Sequence, residues 1–216
     1  MKNILCFGDS ITWGWNPEVP RDRHEPEDRW PNILQEKLGA NFHVIPEGCS
    51  GRTTVLDDHV SPGRNGMKVF ASLLESHRPL DLIIIMLGTN DLKVKYHVSA
   101  LDIAMGVGEL VKLAKGYPCG QLGGKQPEIL LVSPILLGER VMETQGGPWT
   151  FDAGSIAKSR ELSRFYAEIA QQHGCHFADA ALWAEASKAD QVHLDREGQH
   201  ALANGMYEAV KNVFNV

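Results

Sequence analysis

Leu82-Ile83-Ile84-Ile85-Met86-Leu87 limits the fold more than any other stretch of the chain. An unbroken apolar run rich in β-branched residues leaves a strand no side to turn to water. Such a strand must be covered on both faces, which is the place of a central strand in a parallel sheet. Pro79 precedes it and Gly88-Thr89-Asn90-Asp91 follows it, so it is short. Ile4-Leu5-Cys6-Phe7 is a second run of the same kind, and further strands are read at 42–45, 129–132 and 175–178, the first and last of them carrying His43 and His176. The segments between them read as helices. One covers 30–38, with Pro31 in its first turn and Gly39 as its stop. Others cover 66–78, 99–115, 155–172 and 195–213; Ser99-x-x-Asp102 has the form of a capping signal, and Asp195 is a cap for the last.

Strands alternating with helices over residues 1–216 predict a single three-layer α/β/α domain with a five-stranded parallel sheet. Right-handed crossovers favour the flavodoxin-like order 2-1-3-4-5. Strand two is expected to stop at Pro46. Two segments, 16–29 and 135–152, are too long for plain connections. They either cover a site, pack subunits together, or both.

Composition removes several classes of function. With 216 residues, 43% of them apolar, the chain has enough material for one sizeable core. A net charge of −6 without a basic stripe argues against nucleic acid as a partner. No apolar run approaches the ~20 residues of a membrane span. Met1-Lys2-Asn3 leads directly into the first strand and is too short for a signal peptide, so the cytoplasm is the expected location. Cys6, Cys49, Cys119 and Cys175 are far apart and form no Cys-x-x-Cys pair. They are expected to be reduced, packed as small apolar residues, without a disulfide or metal role.

The carboxyl ends of parallel strands share one rim, and open α/β sheets take their ligands there. Ser10 follows strand one, with Gly8 expected to ease a sharp turn. Ser50-Gly51 follows strand two, Asn90-Asp91 follows strand three, and Asp190 and His193 lie between strand five and the last helix. In the order 2-1-3, Ser10 and Asn90 face each other across the crevice. Each residue alone has an ordinary explanation: Ser10 and Asn90 as turn residues, Asp91 as a cap or brace, His193 as a helix-start histidine. Together they supply a nucleophile, a base, an orienting carboxylate and oxyanion donors, the parts of an acyl-transfer site. Asp179 is a rival carboxylate, and His176 and His200 are rival bases.

Gly8-Asp9-Ser10, Gly51 in Ser50-Gly51-Arg52, Gly88-Thr89-Asn90-Asp91 and Asp190-x-x-His193 resemble, in order, the four blocks of the SGNH (GDSL) hydrolase family. They span nearly the whole chain. The longer strings Cys6-Phe7-Gly8-Asp9-Ser10-Ile11-Thr12-Trp13-Gly14-Trp15 and Ile84-Ile85-Met86-Leu87-Gly88-Thr89-Asn90-Asp91 resemble its bacterial arylesterase branch, which has acyltransfer and perhydrolysis activity. The resemblance implies a serine esterase that hydrolyses short-chain acetyl or aryl esters through an acyl-enzyme, with no cofactor and no metal. Ser10 would be the nucleophile, His193 the base and Asp190 its orienting carboxylate. The Ser10 and Gly51 backbone N–H groups and the Asn90 side-chain amide would hold the oxyanion. Trp13 and Trp15 are either core aromatics or a wall of an acyl pocket that admits only short chains. The branch also implies a homo-oligomer in which 16–29 and 135–152 narrow access to the site.

The main alternative is a carbohydrate or phospholipid-type acetyl esterase using the same residues. A rival from another class is a flavodoxin-like phosphate- or flavin-binding module, prompted by Ser10-x-Thr12-x-Gly14. Against it, the chain has neither a Walker lysine pattern nor Gly-x-Gly-x-x-Gly. A catalytically silent member of the same fold is a third reading. Metal-dependent hydrolysis has no His-Glu-x-x-His motif to rest on.

Overall fold

The computed structural model describes residues 1–19, 22–121, 125–144 and 150–215. Strands β1 (Lys2–Gly8), β2 (Phe42–Gly48), β3 (Leu82–Met86), β4 (Glu128–Ser133) and β5 (His176–Asp179) form one parallel sheet in the order β2-β1-β3-β4-β5. The helices are α1 (Ser10–Trp13), α2 (Trp30–Leu38), α3 (Gly66–His77), α4 (Ala100–Gly116), α5 (Ala153–His173) and α6 (Arg196–Phe214). None of them is long and apolar enough to cross a membrane.

The period of two along each strand divides the core between the two faces of the sheet. Leu5, Phe7, Ile83, Ile85, Ile129 and Leu131 point to one face and pack with Phe70 of α3, Val107 of α4 and Tyr166 of α5. Ile4, Cys6, Leu82, Ile84, Leu130 and Val132 point to the other and pack with Trp30 and Leu34 of α2 and Met206 of α6. All five residues of β3 are buried, so the apolar run is explained by cover on both sides. Burying each such Leu or Ile stabilises the fold by about 1.5–3 kcal/mol.

One expectation needs correction. β2 does not stop at Pro46 but continues to Gly48. It is an edge strand, and one side of its ladder has no neighbour, so a residue without an N–H is tolerated. Gly8 eases the sharp turn as expected, by leaving room where a Cβ would clash and not through a positive φ. It is paired with Gly48 across β1 and β2, and both are needed for close approach. A Cβ on Gly8 would lie 2.0 Å from Thr12 Oγ1, and one on Gly48 would lie 2.1 Å from the Trp13 backbone nitrogen. The bare strand ends thus let α1 fold back onto the sheet.

The first long segment closes through a bridge between Trp15 and Arg23 and a 3₁₀ turn at Pro26–Asp28. The second contains a 3₁₀ turn at Val141–Glu143; its residues 145–149 lie outside the described ones. Cys6 and Cys119 are buried thiols, and Cys49 and Cys175 are partly buried.

Candidate active site

Ser10 owes its position to the end of β1. Asp9 caps α1, its Oδ1 accepting from Ile11 N at 3.0 Å, so Ser10 becomes the first residue of a one-turn helix. The backbone N–H groups that open a helix have no partner within it. Gln199, fully buried on α6, fixes this turn from beneath. Its Nε2 donates to Ile11 O at 3.3 Å and its Oε1 accepts from Trp30 N at 3.0 Å, which ties α1, α2 and α6 together.

The Ser10 hydroxyl lies 2.8 Å from His193 Nε2. His193 Nδ1 lies 2.5 Å from Asp190 Oδ2. The other carboxylate oxygen, Oδ1, accepts from the backbone N–H of Val192 at 3.0 Å and of His193 at 2.8 Å. Burial acts to raise the Asp190 carboxyl, but the His193 ring and these two N–H groups outweigh it and hold it below its ordinary value. An ionised Asp190 keeps the proton of His193 on Nδ1, which leaves Nε2 to accept from Ser10. Within this turn Gln191 adopts a left-handed conformation, φ 64°, unusual for a side chain of its size. The surroundings enforce it: Gln191 N donates to Ser187 O and Gln191 O accepts from Gly138 N, both at 2.8 Å. Thr144 Oγ1 donates to Asp190 O at 2.7 Å. The His24 ring reaches Leu194 O at 2.9 Å, so the segment after α1 braces the residue next to His193.

Two loops complete the rim. Asn90 Nδ2 donates to Arg52 O at 3.1 Å. The Arg52 guanidinium lies over the Phe7 ring, 4.4 Å from its centroid, and donates to Gly8 O at 2.8 Å and to Glu47 O. One buried arginine therefore holds the carboxyl ends of β1 and β2. Gly51, just before it, has φ 81°, a conformation that strains any other residue. Asp91 points away from Asn90's side: its Oδ1 accepts from Thr54 Oγ1 at 2.5 Å, and both its oxygens lie 3.1 Å from Thr54 N. Complete burial pushes the Asp91 carboxyl up to about 7, with the Thr54 bonds opposing. Burial likewise raises Asp9, against the Ile11 N–H and the charges of His193, Arg52 and Lys93.

Ser10, Gly51, Asn90 and His193 share the wall of one cavity of ≈230 Å³ with Trp15, Ser50, Thr89, Lys93, Thr150, Phe151 and Val192. Asp190 stands behind His193. Trp15 stacks on the His193 ring, with centroids 5.4 Å apart. Trp13 is not part of this wall; it sits against Trp15 and under the Arg23 guanidinium, 4.4 Å from its ring centroid. Asp179 is bound elsewhere: its Oδ2 accepts from Ser163 Oγ at 2.6 Å and its Oδ1 from Ala181 N at 3.0 Å. His176, on β5, faces Glu128, and His200, on α6, faces Asp28. Among the described residues, no group of His, Cys, Asp and Glu could hold a metal ion.

Sequence reasoning did not anticipate Lys93, Thr150, Phe151 and Val192 in the wall, or His24, Arg52 and Gln199 behind it. Val192 was within reach, since it lies inside Asp190-x-x-His193. Arg52 and Lys93 lie beside quoted blocks, next to Gly51 and three residues after Asn90, but nothing in those blocks marked them; His24, Thr150, Phe151 and Gln199 come from other segments and share no local pattern with the serine turn.

The profile of the GDSL-like lipase/acylhydrolase family matches residues 6–201, and the chain belongs to that family. Among solved structures, the chain is similar to a carbohydrate acetylesterase family member from Sinorhizobium meliloti, at 39% identity over 100% of both chains and a TM-score of 0.91. It is similar also to the inhibitor-bound aryl esterase of M. smegmatis, at 38% identity over 98% of this chain and 99% of that one, with a TM-score of 0.92. No curated protein matches it.

Proposed function

We propose that the protein is a carboxylic ester hydrolase that works through an acyl-enzyme on Ser10. The observation that carries this reading is the continuous contact from Ser10 Oγ to His193 Nε2 at 2.8 Å and from His193 Nδ1 to Asp190. Serine is a poor nucleophile without an adjacent base. His193 Nε2 takes the hydroxyl proton as Ser10 Oγ bonds to the ester carbonyl carbon. The negative charge that develops on the carbonyl oxygen is met by the Ser10 and Gly51 N–H groups and Asn90 Nδ2. Asp190 stabilises the imidazolium and fixes its orientation. The tetrahedral intermediate then expels the alcohol, which takes the proton back from His193. Water repeats the sequence on the acyl-serine, giving the carboxylic acid and restoring Ser10.

The volume of ≈230 Å³ favours short acyl groups, since pockets for larger ligands span about 300–1,000 Å³. Trp15, Phe151 and Val192 give the cavity apolar walls. Such walls favour acyl transfer to an alcohol or to peroxide in competition with water. Acetyl esters of carbohydrates form a second substrate class, supported by the similarity to the Sinorhizobium meliloti protein. Thr150 and Phe151 of the second long segment line the cavity, and His24 of the first braces Leu194 beside His193; these two segments are proposed to join copies of the chain, and a monomer mass by light scattering would refute this.

The deciding experiment is the hydrolysis of p-nitrophenyl esters from acetate to octanoate by the wild type and Ser10→Ala. Turnover that falls with chain length and disappears in Ser10→Ala is expected. Equal turnover in the two proteins would reject the serine mechanism.

A further inference from the structure

Lys93 lines the same cavity as Ser10 and Asn90, three residues beyond the latter. The mechanism above does not use it. Its backbone N–H closes the turn onto Asn90 O at 3.3 Å, so the two residues are fixed to one another. On the opposite side Val94 N donates to Thr150 O at 3.0 Å, which sets Lys93 beside Thr150 and Phe151.

The Lys93 side chain is partly buried, yet it makes no hydrogen bond or ion pair with any described residue. The carboxylates that face it are engaged elsewhere. Asp58 takes Lys95 at 2.5 Å, Asp9 accepts from Ile11 N, and Asp91 accepts from Thr54. Burial lowers the proton affinity of the Lys93 ammonium, and Lys95, which faces it with like charge, lowers it further, against the pull of Asp58, Asp9 and Asp91. A half-buried ammonium without a partner is poorly compensated, and a ligand entering the cavity can supply the counter-charge it lacks. The remaining wall offers no anion to do so: Ser10, Ser50, Asn90 and Thr150 are neutral, and Asp190 lies behind His193.

We propose that Lys93 is a specificity-determining residue that receives an anionic group of the substrate, so that the preferred esters carry a carboxylate close to the scissile bond. This rests on the esterase reading above and narrows its substrate class. Neutral aryl acetates then report the chemistry at Ser10 but not the full recognition. The carboxylate belongs either to the acyl part, as in a half-ester of a dicarboxylic acid, or to the alcohol part, as in an acetylated hydroxy acid.

Two matched pairs of substrates separate these sources. Phenyl hemisuccinate against phenyl methyl succinate probes the acyl part. 4-Acetoxybenzoate against its methyl ester probes the alcohol part. In one pair the wild type is expected to favour the anionic member in kcat/KM by about tenfold or more, the range of a charge-assisted hydrogen bond. Lys93→Met should remove that preference, and Lys93→Arg should retain most of it. A residue that only steadied Asp9 and Asp91, or the oxyanion, would lower both members of a pair alike. An unchanged ratio in Lys93→Met would therefore overturn the proposal. So would the absence of any anionic preference in the wild type, a result that needs no variant to fold. Ser10→Ala included in every series keeps the two claims apart. Serine-dependent hydrolysis without an anionic preference rejects the role of Lys93 alone. Hydrolysis that survives Ser10→Ala rejects the esterase reading itself.

Discussion

Two aspartate turns lie between β5 and α6, and locally they are alike. Asp179 Oδ1 accepts from the backbone N–H two residues on, and so does Asp190 Oδ1. Their second oxygens differ. That of Asp179 accepts from Ser163 Oγ and staples β5 to α5, while that of Asp190 meets His193 Nδ1. The same divergence separates two neighbours on the β3 loop. Asn90 lines the cavity, whereas Asp91 turns to Thr54 and binds the β2 loop. Asx-turn chemistry shapes the loop at both aspartates, and what the second oxygen meets decides whether the residue serves the reaction or the scaffold.

The sharpest way to break this comparison is to remove both aspartates in turn. Asp190→Ala is expected to lower kcat/KM on phenyl acetate by about 10³–10⁴-fold, through loss of the imidazole's orientation and counter-charge. Asp179→Ala should leave kcat/KM within about twofold, and a comparable loss there would reverse the assignment. Next in size is Asn90→Ala, with a loss of about 10²–10³-fold in kcat and a fold unchanged by circular dichroism. Activity retained within about twofold would remove Asn90 from the oxyanion site.

Asp91 sharpens the contrast through pH. Its folded pKa of about 7 lies above the 3.8 of an ordinary aspartate, so the folded state holds this proton more tightly than the unfolded chain does. The stability it contributes is full below pH 3.8 and is lost as pH rises towards 7. Between those limits the melting temperature of the wild type should fall relative to Asp91→Asn, whose amide still accepts from Thr54 but does not titrate. Parallel profiles would contradict this. Smaller again is Trp15→Ala, which should raise octanoate hydrolysis relative to acetate severalfold, because the ring stands in the cavity wall beside His193. An unchanged chain-length preference would place the limit elsewhere. The smallest effect belongs to Asp179→Ala, a loss of about 1 kcal/mol in stability seen by denaturant titration.

Much of this was legible in the chain. Continuous apolar runs identified β1 and β3 because a strand covered on both faces has no polar alternation. The start of α4 was marked by Ser99 and Asp102, which do form a reciprocal capping box. Strand order followed from chirality and strand count, and the order of strands brought Ser10 and Asn90 to one crevice. The spacing of Asp190 and His193 was readable too, since three residues in a turn let one side chain reach the other.

Other features depend on contacts between distant segments. Pro46 could join β2 only because β2 lies at the sheet edge. Gly8 answers to the Thr12 side chain and Gly48 to the backbone of α1, contacts that only the packing of α1 on the sheet creates. Arg52, Gln199 and His24 support the site from loops and helices far from Ser10 in sequence. Lys93, half-buried in the cavity wall, forms no ion pair with a described residue, since Asp58 is taken by Lys95 and Asp91 by Thr54. The sequence determined the sheet, the rim and the reactive residues on it, because hydrophobic period, turn chemistry and handedness act locally along the chain. The tertiary structure alone decided which donors were already spent and which side chain was left facing the cavity, because hydrogen bonds and burial are shared among elements that no local pattern connects.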